Sequence, residues 1–343
     1  MAKILITGAS GFIGSFIVEH ALELSYEVWA AVRPSSSRKW LTDERIRFIT
    51  LDFVHEEQLL VQLQAHQQQF GAWDYVVMAA GVTKAKTDAE WVEGNVLTVS
   101  HLLHALTQLQ MIPRRVVFMS SLSVLGPIKE RRIPNQQPYS YEPLASTDHP
   151  KPVSAYARSK WEAEKVLAAQ KDVPYVVLRP TGVYGPREQD YFLMAKSIKG
   201  HVDFAVGWKR QEITFIYVRD LAKAVFQALE NGREGETYLL SDGHTYQSSD
   251  FSRLLKQTLG VRGVFRIVAP LWITRMVCAV SEWTSRRSRK ASTLNLDKFL
   301  TLKQRNWRCD IASAQRDFGF SPEYPLERGV EETIFWYKAQ GWL

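Results

Sequence analysis

The stretch that decides the fold is Ile4-Leu5-Ile6-Thr7-Gly8-Ala9-Ser10-Gly11-Phe12-Ile13-Gly14. It opens with an apolar run without a breaker, which is typical of a strand buried on both faces. Residues 15–22 then place apolar side chains at helical spacing. Between strand and helix, Gly8 permits a tight turn, Gly11 lets the backbone approach a pyrophosphate, and Gly14 lets helix and strand pack closely. The turn is predicted to bind a dinucleotide, and the alternative is a plain strand-to-helix turn. The predicted binding residues are Gly8, Ser10, Gly11, Phe12, Ile13 and Gly14.

Composition excludes several classes of protein. The chain has 343 residues, 45% hydrophobic and 23% charged, so it can bury a sizeable core and is not disordered. The net charge is +7, but basic residues cluster only near 286–290, which argues against nucleic-acid binding. Cys278 and Cys309 show no metal-binding spacing and no disulfide framework, so we expect no metal site and a cytoplasmic location. The N-terminal apolar run is too short for a signal peptide, and no apolar stretch reaches the length of a membrane span.

Strands and helices alternate along the first half of the chain. Strands are predicted at 27–33, 47–53, 73–81, 114–121 and 173–178, and helices at 55–69, 88–110 and 154–170. This alternation predicts an α/β fold with a Rossmann-type, doubly wound parallel sheet. Residues 1–180 are expected to form the dinucleotide-binding domain, with 210–240 returning to it. Residues 181–343 are expected to form a smaller C-terminal α/β domain that binds the substrate.

The predicted strand ends carry further candidates, because ligands of such sheets bind beyond the carboxyl ends of the strands. Arg33, Arg38 and Lys39 follow the second strand, where an acidic residue would favour NAD. Cations there would pair with a 2′-phosphate, so NADP is favoured and NAD is the alternative. Asp52 and Phe53 end the third strand, where the carboxylate would accept a hydrogen bond from adenine. Small residues at the end of the fourth strand would let the cofactor pass close to the backbone: Ala79, Ala80 and Gly81.

Tyr156 and Lys160 are four residues apart on a predicted helix and therefore share one face. The Lys160 ammonium can favour the phenolate form of Tyr156, because opposite charges attract at short range. A tyrosine tuned in this way can take a proton from an alcohol or return one to a ketone near neutral pH. Lys160 can also donate to the nicotinamide ribose. Alone, such a pair is usually a solvated helix face, but here it follows the glycine turn and a strand that ends in hydroxyls.

Four motifs together resemble the extended short-chain dehydrogenase/reductase superfamily, epimerase/dehydratase branch, over nearly the full chain. They are Thr7–Gly14, Ser120-Ser121-Leu122-Ser123-Val124-Leu125-Gly126, Tyr156-Ala157-Arg158-Ser159-Lys160 and Arg179-Pro180-Thr181-Gly182-Val183-Tyr184-Gly185-Pro186. The resemblance implies Tyr156 as the acid/base, Lys160 as its modulator and Ser121 as the donor to the substrate oxygen. Ser120 and Ser123 are the alternatives to Ser121.

The same resemblance extends to further residues and to assembly. Asn95 matches the asparagine of the family's long helix, which supports the catalytic lysine through backbone and water, and the alternative is a helix-surface amide. Pro180 and Val183 match cofactor-binding positions after the sixth strand. The superfamily commonly dimerises through the helices that match 88–110 and 155–170, so a homodimer is expected.

Other positions indicate the subfamily. Dehydratases of nucleotide sugars carry Asp-Glu after the catalytic hydroxyl, and Leu122 and Ser123 stand there instead, which argues against dehydration. The stretches 215–224, 310–322 and 336–343 are similar to 3β-hydroxysteroid dehydrogenase and dihydroflavonol reductase-like members. Those enzymes oxidise or reduce one carbinol or ketone, so the resemblance implies an NAD(P)-dependent oxidoreductase of an apolar or lipid-like substrate. The alternatives are a nucleotide-sugar epimerase and a cofactor-binding sensor without turnover.

One further stretch, residues 270–290, has two interpretations. It places Leu271, Trp272, Met276, Val280 and Trp283 near helical spacing, followed by Arg286, Arg287, Arg289 and Lys290. It could form an apolar lid, or a surface that contacts membrane lipid through its aromatic face and basic end. The sequence favours the other interpretation, a core helix of the smaller domain followed by a solvated basic loop.

Overall fold

Strand β1 (Lys3–Thr7) lies inside a seven-stranded sheet in the computed structural model, which describes residues 1–134, 136, 139–286 and 294–343. The remaining described strands are β2 (Glu27–Val32), β3 (Arg47–Thr50), β4 (Tyr75–Met78), β5 (Arg115–Met119), β6 (Tyr175–Pro180), β7 (Gly182–Tyr184), β8 (Val202–Val206), β9 (Glu212–Ile213), β10 (Phe215–Tyr217), β11 (Thr237–Leu240), β12 (Tyr246–Gln247), β13 (Phe265–Ala269) and β14 (Asn306–Trp307). The described α-helices are α1 (Phe12–Glu23), α2 (Glu56–Phe70), α3 (Asp88–Trp91), α4 (Thr98–Gln108), α5 (Ala155–Ala168), α6 (Asp190–Lys199), α7 (Val218–Asn231), α8 (Ser248–Leu259), α9 (Leu271–Arg286), α10 (Leu296–Leu302), α11 (Ala312–Phe318) and α12 (Leu326–Ala339).

The large sheet has the strand order β11–β6–β5–β4–β1–β2–β3, and every neighbouring pair is parallel. The order reverses between β1 and β4, so a crevice opens at the carboxyl ends of these strands, where ligands of such sheets bind. The predicted α/β fold with a Rossmann-type sheet is therefore confirmed.

Each face of the large sheet has its own core. Because successive side chains of a strand point to opposite faces, Ile4 and Ile6 join the cluster beneath α1 and α7, while Leu5 joins the cluster beneath α2, α4 and α5. Helices therefore cover both faces, as doubly wound sheets require. A third cluster surrounds the fully buried Tyr184 and draws on α6, α8 and α12. The smaller sheets are β7–β10, β12–β9–β14 and β8–β13, and the division of the chain into two domains stays a prediction.

Two predicted elements differ in their boundaries or regularity. Strand β3 ends at Thr50 instead of residue 53, because the Asp52 side chain accepts hydrogen bonds from the amides of Val54 and His55 and fixes a turn there. The helix predicted at 88–110 is interrupted: the segment Val92–Leu97 between α3 and α4 is π-helical.

The interpretation of 270–290 as a core helix is wrong. Helix α9 forms, but Trp272, Met276, Val280 and Trp283 are each more than half exposed, and Cys278 is the one buried residue among 271–285. Helical spacing identifies one apolar face and cannot tell whether another element covers it. The basic residues Arg287, Arg289 and Lys290 lie outside the described residues. Across the part of the chain that the structure describes, no helix is both long and apolar enough to cross a bilayer.

Candidate active site

The glycine turn joins β1 to α1, and Gly8 and Gly14 have no room for a side chain. Gly8 has a φ of +66°, and a Cβ atom there would lie 2.6 Å from the Ala79 carbonyl oxygen. A Cβ atom on Gly14 would lie 2.1 Å from the Gly8 carbonyl oxygen. Thr7 Oγ1 accepts a hydrogen bond from the Ala80 amide at 3.0 Å, which ties the ends of β1 and β4 together. The crevice at these strand ends is therefore lined by backbone.

The first turn of α1 offers donors for an anion. Gly11 is the N-cap, and no side chain caps the helix. An α-helix leaves its first N–H groups without intrahelical partners, and its dipole is positive at that end. The amides of Phe12 and Ile13, with Ser10 in the same turn, therefore suit the pyrophosphate of a dinucleotide. The turn therefore fits the dinucleotide pyrophosphate that the sequence predicted.

The loop after β2 presents three exposed cations, Arg33, Arg38 and Lys39. None of them forms an ion pair with another described residue. The Arg33 amide donates to Ser36 Oγ at 3.0 Å, which fixes the turn, and the Arg38 guanidinium stacks 4.2 Å from the centre of the Phe48 ring. Cations that lack a carboxylate partner suit a phosphate group.

Asp52 is engaged in the turn after β3. Its Oδ1 accepts hydrogen bonds from the amides of Val54 at 3.0 Å and His55 at 3.2 Å, and the His55 ring lies 2.9 Å from Oδ2. Hydrogen bonding from His55 holds the pKa of the Asp52 carboxyl below its usual range. The neighbouring Phe53 carbonyl lies 2.8 Å from the His101 ring nitrogen. The structure thus gives Asp52 a role in this turn, and its contact with adenine stays a prediction.

The three candidate serines after β5 have different partners. The Ser120 hydroxyl donates to the buried Glu164 carboxylate, which draws it into the protein interior. Ser123 Oγ donates to Ser121 Oγ at 2.9 Å. Ser121 also shares a hydrogen bond with the hydroxyl of Tyr156. The structure therefore brings Ser121, and not Ser120, to the tyrosine.

Lys160 is buried, and its Nζ donates to the Met119 carbonyl at 2.9 Å. Burial lowers the pKa of the Lys160 ammonium to about 8, and the Glu164 carboxylate raises it by a smaller amount. Burial raises the pKa of Tyr156, and the hydrogen bond with Ser121 offsets part of that rise. Desolvation is the largest influence on the tyrosine and disfavours its charged form, and the stabilisation of the phenolate by Lys160 stays a prediction.

Asn95 lies in the π-helical segment and is buried. Its Oδ1 accepts from the Val82 amide at 2.9 Å, and its Nδ2 donates to the Val82 carbonyl at 3.1 Å and to Ser159 Oγ at 2.9 Å. Ser159 Oγ in turn donates to the Tyr156 carbonyl at 2.9 Å. The interpretation of Asn95 as a surface amide is wrong, because the side chain connects the segment after β4 to the helix of Tyr156. π-Helical turns within α-helices are frequent at functional sites.

Gly81 lies close to both Asn95 and Lys160. A Cβ atom on Gly81 would lie 2.6 Å from Asn95 Oδ1 and 3.1 Å from Lys160 Nζ. The remaining predicted cofactor residues, Pro180 and Val183, lie at the carboxyl end of β6 and in β7. Sequence-predicted residues thus line the carboxyl edge of the sheet from β1 to β6.

Sequence reasoning missed two supports of the catalytic helix α5. The buried Glu164 accepts from the Arg179 guanidinium at 2.9 and 2.5 Å, and its position four residues after Lys160 was a usable signal. Asp297 of α10 accepts hydrogen bonds from the Ala155 amide and, at 3.4 Å, from the amide that follows. This carboxylate caps α5 from a distant part of the chain, so no local pattern indicated it.

A cavity of about 260 Å³ lies beside the tyrosine. Its lining includes Trp91, Ala155, Leu296 and Leu300, so helix α10 forms one wall. The ring centres of Trp91 and Tyr156 are 5.9 Å apart. This cavity therefore lies next to the start of α5, and its lining also includes polar residues such as Lys86, Asp88 and Asp297.

The fold and the serine, tyrosine and lysine arrangement define an NAD(P)-dependent oxidoreductase or epimerase of the short-chain dehydrogenase/reductase type. The model of the NAD dependent epimerase/dehydratase family matches residues 4–241, and the chain belongs to that family. The resemblance found in the sequence is confirmed, and an NAD(P) nucleotide is the cofactor typical of the family.

Relatives of the chain fall into two groups. It is 23% identical to the 4-hydroxy-2-methyl-3-oxo-4-farnesyl-3,4-dihydroquinoline-1-oxide ketoreductase of Stigmatella aurantiaca, over 96% of this chain and 95% of the relative. It is 22% identical to the 3-beta-hydroxysteroid dehydrogenase of Mycolicibacterium neoaurum, over 98% and 92%. Its fold is similar to that of UDP-glucuronic acid 4-epimerase from Bacillus cereus in complex with NAD, with a TM-score of 0.75 and 21% identity over 98% and 99% of the two chains. The similarity of the chain to these proteins therefore defines the class of enzyme and does not identify the substrate.

Proposed function

We propose that the protein is an NAD(P)-dependent oxidoreductase that interconverts a secondary alcohol and a ketone on an apolar or lipid-like substrate. One observation carries the proposal: the Tyr156 hydroxyl bonds with Ser121 after β5, and Lys160 on the same helix donates to the Met119 carbonyl at the end of that strand. Bound in the crevice, the nicotinamide cofactor supplies or accepts hydride. We assign the cofactor to residues 1–180 together with 210–240, and the substrate to 181–343.

The residues of the chain move one proton. In the direction of reduction, the Tyr156 hydroxyl donates its proton to the substrate oxygen as that oxygen gains negative charge. Ser123 donates to Ser121, so the Ser121 proton, which bonds the Tyr156 hydroxyl in this structure, can turn to the same substrate oxygen and stabilise its charge. Lys160, protonated below a pH of about 8, then stabilises the phenolate that remains on Tyr156. Asn95 and Ser159 hold the backbone of the tyrosine in place.

The apolar character of the substrate is supported by the names of relatives. The cavity next to α5 is neutral on this point, because Trp91, Leu296 and Leu300 share its lining with polar residues. Two relatives that span nearly the full chain act, by their names, on a farnesyl quinoline ketone and on a steroid alcohol.

We further propose that NADP is preferred over NAD, because Arg33, Arg38 and Lys39 are exposed after β2 without carboxylate partners. A thermal-shift titration with NADPH, NADP, NADH and NAD tests this, since the gain in stability follows ligand occupancy. We expect the larger shift with the phosphorylated pair, and we expect Arg38→Ser to reduce that difference. Arg45→Ser is the matched control, because Arg45 pairs with Asp43 at 2.7 Å. A larger shift with NAD than with NADP would overturn the preference.

A nucleotide-sugar epimerase is the second candidate, favoured by the structural likeness to a UDP-glucuronic acid 4-epimerase. An epimerase regenerates its cofactor in each turnover, whereas a reductase consumes one reduced nucleotide per product. The discriminating experiment follows the absorbance of NADPH with a panel of farnesyl and steroid ketones and, separately, with UDP-sugars. We expect net consumption with an apolar ketone. Interconversion of UDP-sugars at constant nucleotide absorbance would establish the epimerase instead.

We also infer a homodimer through the helices α4 and α5, on the resemblance alone, and a cytoplasmic location stays a prediction. Size-exclusion chromatography with light scattering should give twice the chain mass of 39.3 kDa. A mass equal to one chain at micromolar concentration would exclude a stable dimer.

A further inference from the structure

The small parallel sheet of β8 and β13 has one face made only of apolar residues. The register pairs Val202 with Phe265 and Phe204 with Ile267, and alternate residues of a strand share a face. Val206 and Ala269 complete that face. Phe204 is 64% exposed and Phe265 is 71% exposed, so the apolar face of this sheet is open to solvent. The opposite face carries Asp203, whose carboxylate accepts from Ser252 of α8 at 2.9 Å and therefore points into the protein.

Helix α9 continues this apolar surface along the chain. It begins directly after Pro270 at the end of β13. Trp272, Met276 and Val280 are exposed at a spacing of four residues and therefore lie on one side of the helix. Cys278 is buried, and α9 packs on α10. Single exposed apolar side chains are common, but exposed apolar side chains grouped on one strand face, and again on one side of the helix that directly follows it, favour an interaction surface.

The charges around this surface are almost all positive. The segments 202–209 and 262–280 contain four cations, all exposed: Lys209, Arg262, Arg266 and Arg275. The one carboxylate in these segments is Asp203, which is buried and lies 3.8 Å from Arg266. An apolar surface bordered by cations is complementary to an anionic lipid surface. A second copy of the chain would bring like charges together at the same surface, which disfavours that occupant.

We propose that the apolar face of β8, β13 and α9 docks on an anionic lipid surface. Docking buries Phe204, Phe265 and Trp272 among the acyl chains and places Arg262 and Arg275 at the headgroups. The far end of α9 contributes Glu282 and Ser285 to the cavity beside Tyr156. Docking therefore holds the active site next to a reservoir of apolar molecules, and this last consequence rests on the proposed function.

Vesicle flotation of the full-length protein tests the docking directly. We expect co-flotation with vesicles of phosphatidylcholine and phosphatidylglycerol, weak binding to pure phosphatidylcholine, and a decrease with rising salt. Arg262→Gln with Arg275→Gln should weaken partitioning roughly fivefold for each charge removed. Trp272→Ser with Met276→Ser should weaken it by at least about tenfold, because apolar insertion is lost. Phe335→Ser is the matched control, since Phe335 is 76% exposed on α12, and it should bind as the wild type does.

Three outcomes would overturn the proposal. The first is the absence of co-flotation with anionic vesicles, and the second is equal flotation of the wild type and the Trp272 and Met276 double variant. The third is a concentration-dependent dimer that the same double variant abolishes, which would make this surface an interface between copies. Flotation needs no substrate and no turnover. A protein that does not float would therefore contradict the docking and not the proposed oxidoreductase activity. A protein without that activity could still be tested for vesicle binding in the same way.

Discussion

Replacing Glu164 by glutamine tests the buried network behind the catalytic helix. Glu164 and Arg179 are 4% and 3% exposed, and the guanidinium donates to both carboxylate oxygens, at 2.9 and 2.5 Å. Ser120 donates to the same carboxylate. Glutamine keeps the shape of the side chain but removes its charge, so the Arg179 cation is left buried without a counter-charge. Breaking a buried ion pair in this way costs about 3–5 kcal/mol, and we expect the free energy of unfolding to fall by that amount.

Urea unfolding followed by tryptophan fluorescence measures this loss. The matched control is Glu162→Gln on the same helix, because Glu162 pairs with Lys165 at 2.6 Å with its side chain more than half exposed. That control should cost less than about 1 kcal/mol, as exposed ion pairs do. The double variant Glu164→Leu with Arg179→Met should recover most of the stability, since neither member of the ion pair is left buried without its partner. A loss for Glu164→Gln as small as that of the control would refute the reasoning.

Three further predictions concern the active site. The rate of ketone reduction should fall as the pH rises through about 8, because burial lowers the pKa of Lys160 to that value and the ammonium is lost above it. A pH–rate profile that stays flat to about pH 10, where a free lysine titrates, would contradict this. Gly81→Ala should lower kcat about 100-fold in steady-state kinetics, because its Cβ atom would lie 2.6 Å from Asn95 Oδ1 and 3.1 Å from Lys160 Nζ and would displace these groups. Gly200→Ala, whose Cβ atom would approach nothing closer than 3.4 Å, should leave kcat unchanged. Asp297→Ala should destabilise the start of α5 by about 1 kcal/mol, because the amides of Ala155 and Tyr156 lose their acceptor while the N-cap Ser154 keeps its bond to the Ala157 amide. Faster hydrogen exchange of these two amides is the expected result, and unchanged exchange would exclude this role of Asp297.

The sequence predicted those features that depend on local patterns and on general rules of chain connection. Gly8 and Gly14 lie where the turn has no space for a Cβ atom, Gly11 lies where the space is tight, and Tyr156 and Lys160 share a helix as their spacing requires. The parallel sheet followed from the alternation of strands and helices, because right-handed crossover connections allow few topologies for such a chain.

Features that depend on distant contacts could not be predicted in this way. The burial of Asn95 comes from a π-helical turn that no residue pattern indicated. The cap by Asp297 joins positions more than 140 residues apart. The apolar side of α9 was assigned to a core, because helical spacing shows that an apolar face exists and not whether the fold covers it. The raised pKa of Tyr156 likewise depends on desolvation by the surrounding fold.

The central claim is that Tyr156 delivers the proton in a net reduction of a ketone. A single-turnover experiment tests it most directly, with NADPH, the best ketone of the panel, and wild-type protein compared with Tyr156→Phe. The account predicts a rate about 100- to 10,000-fold lower for the variant, the usual contribution of a general acid, with an unchanged affinity for NADPH. A variant that reduces the ketone at nearly the wild-type rate would contradict the account.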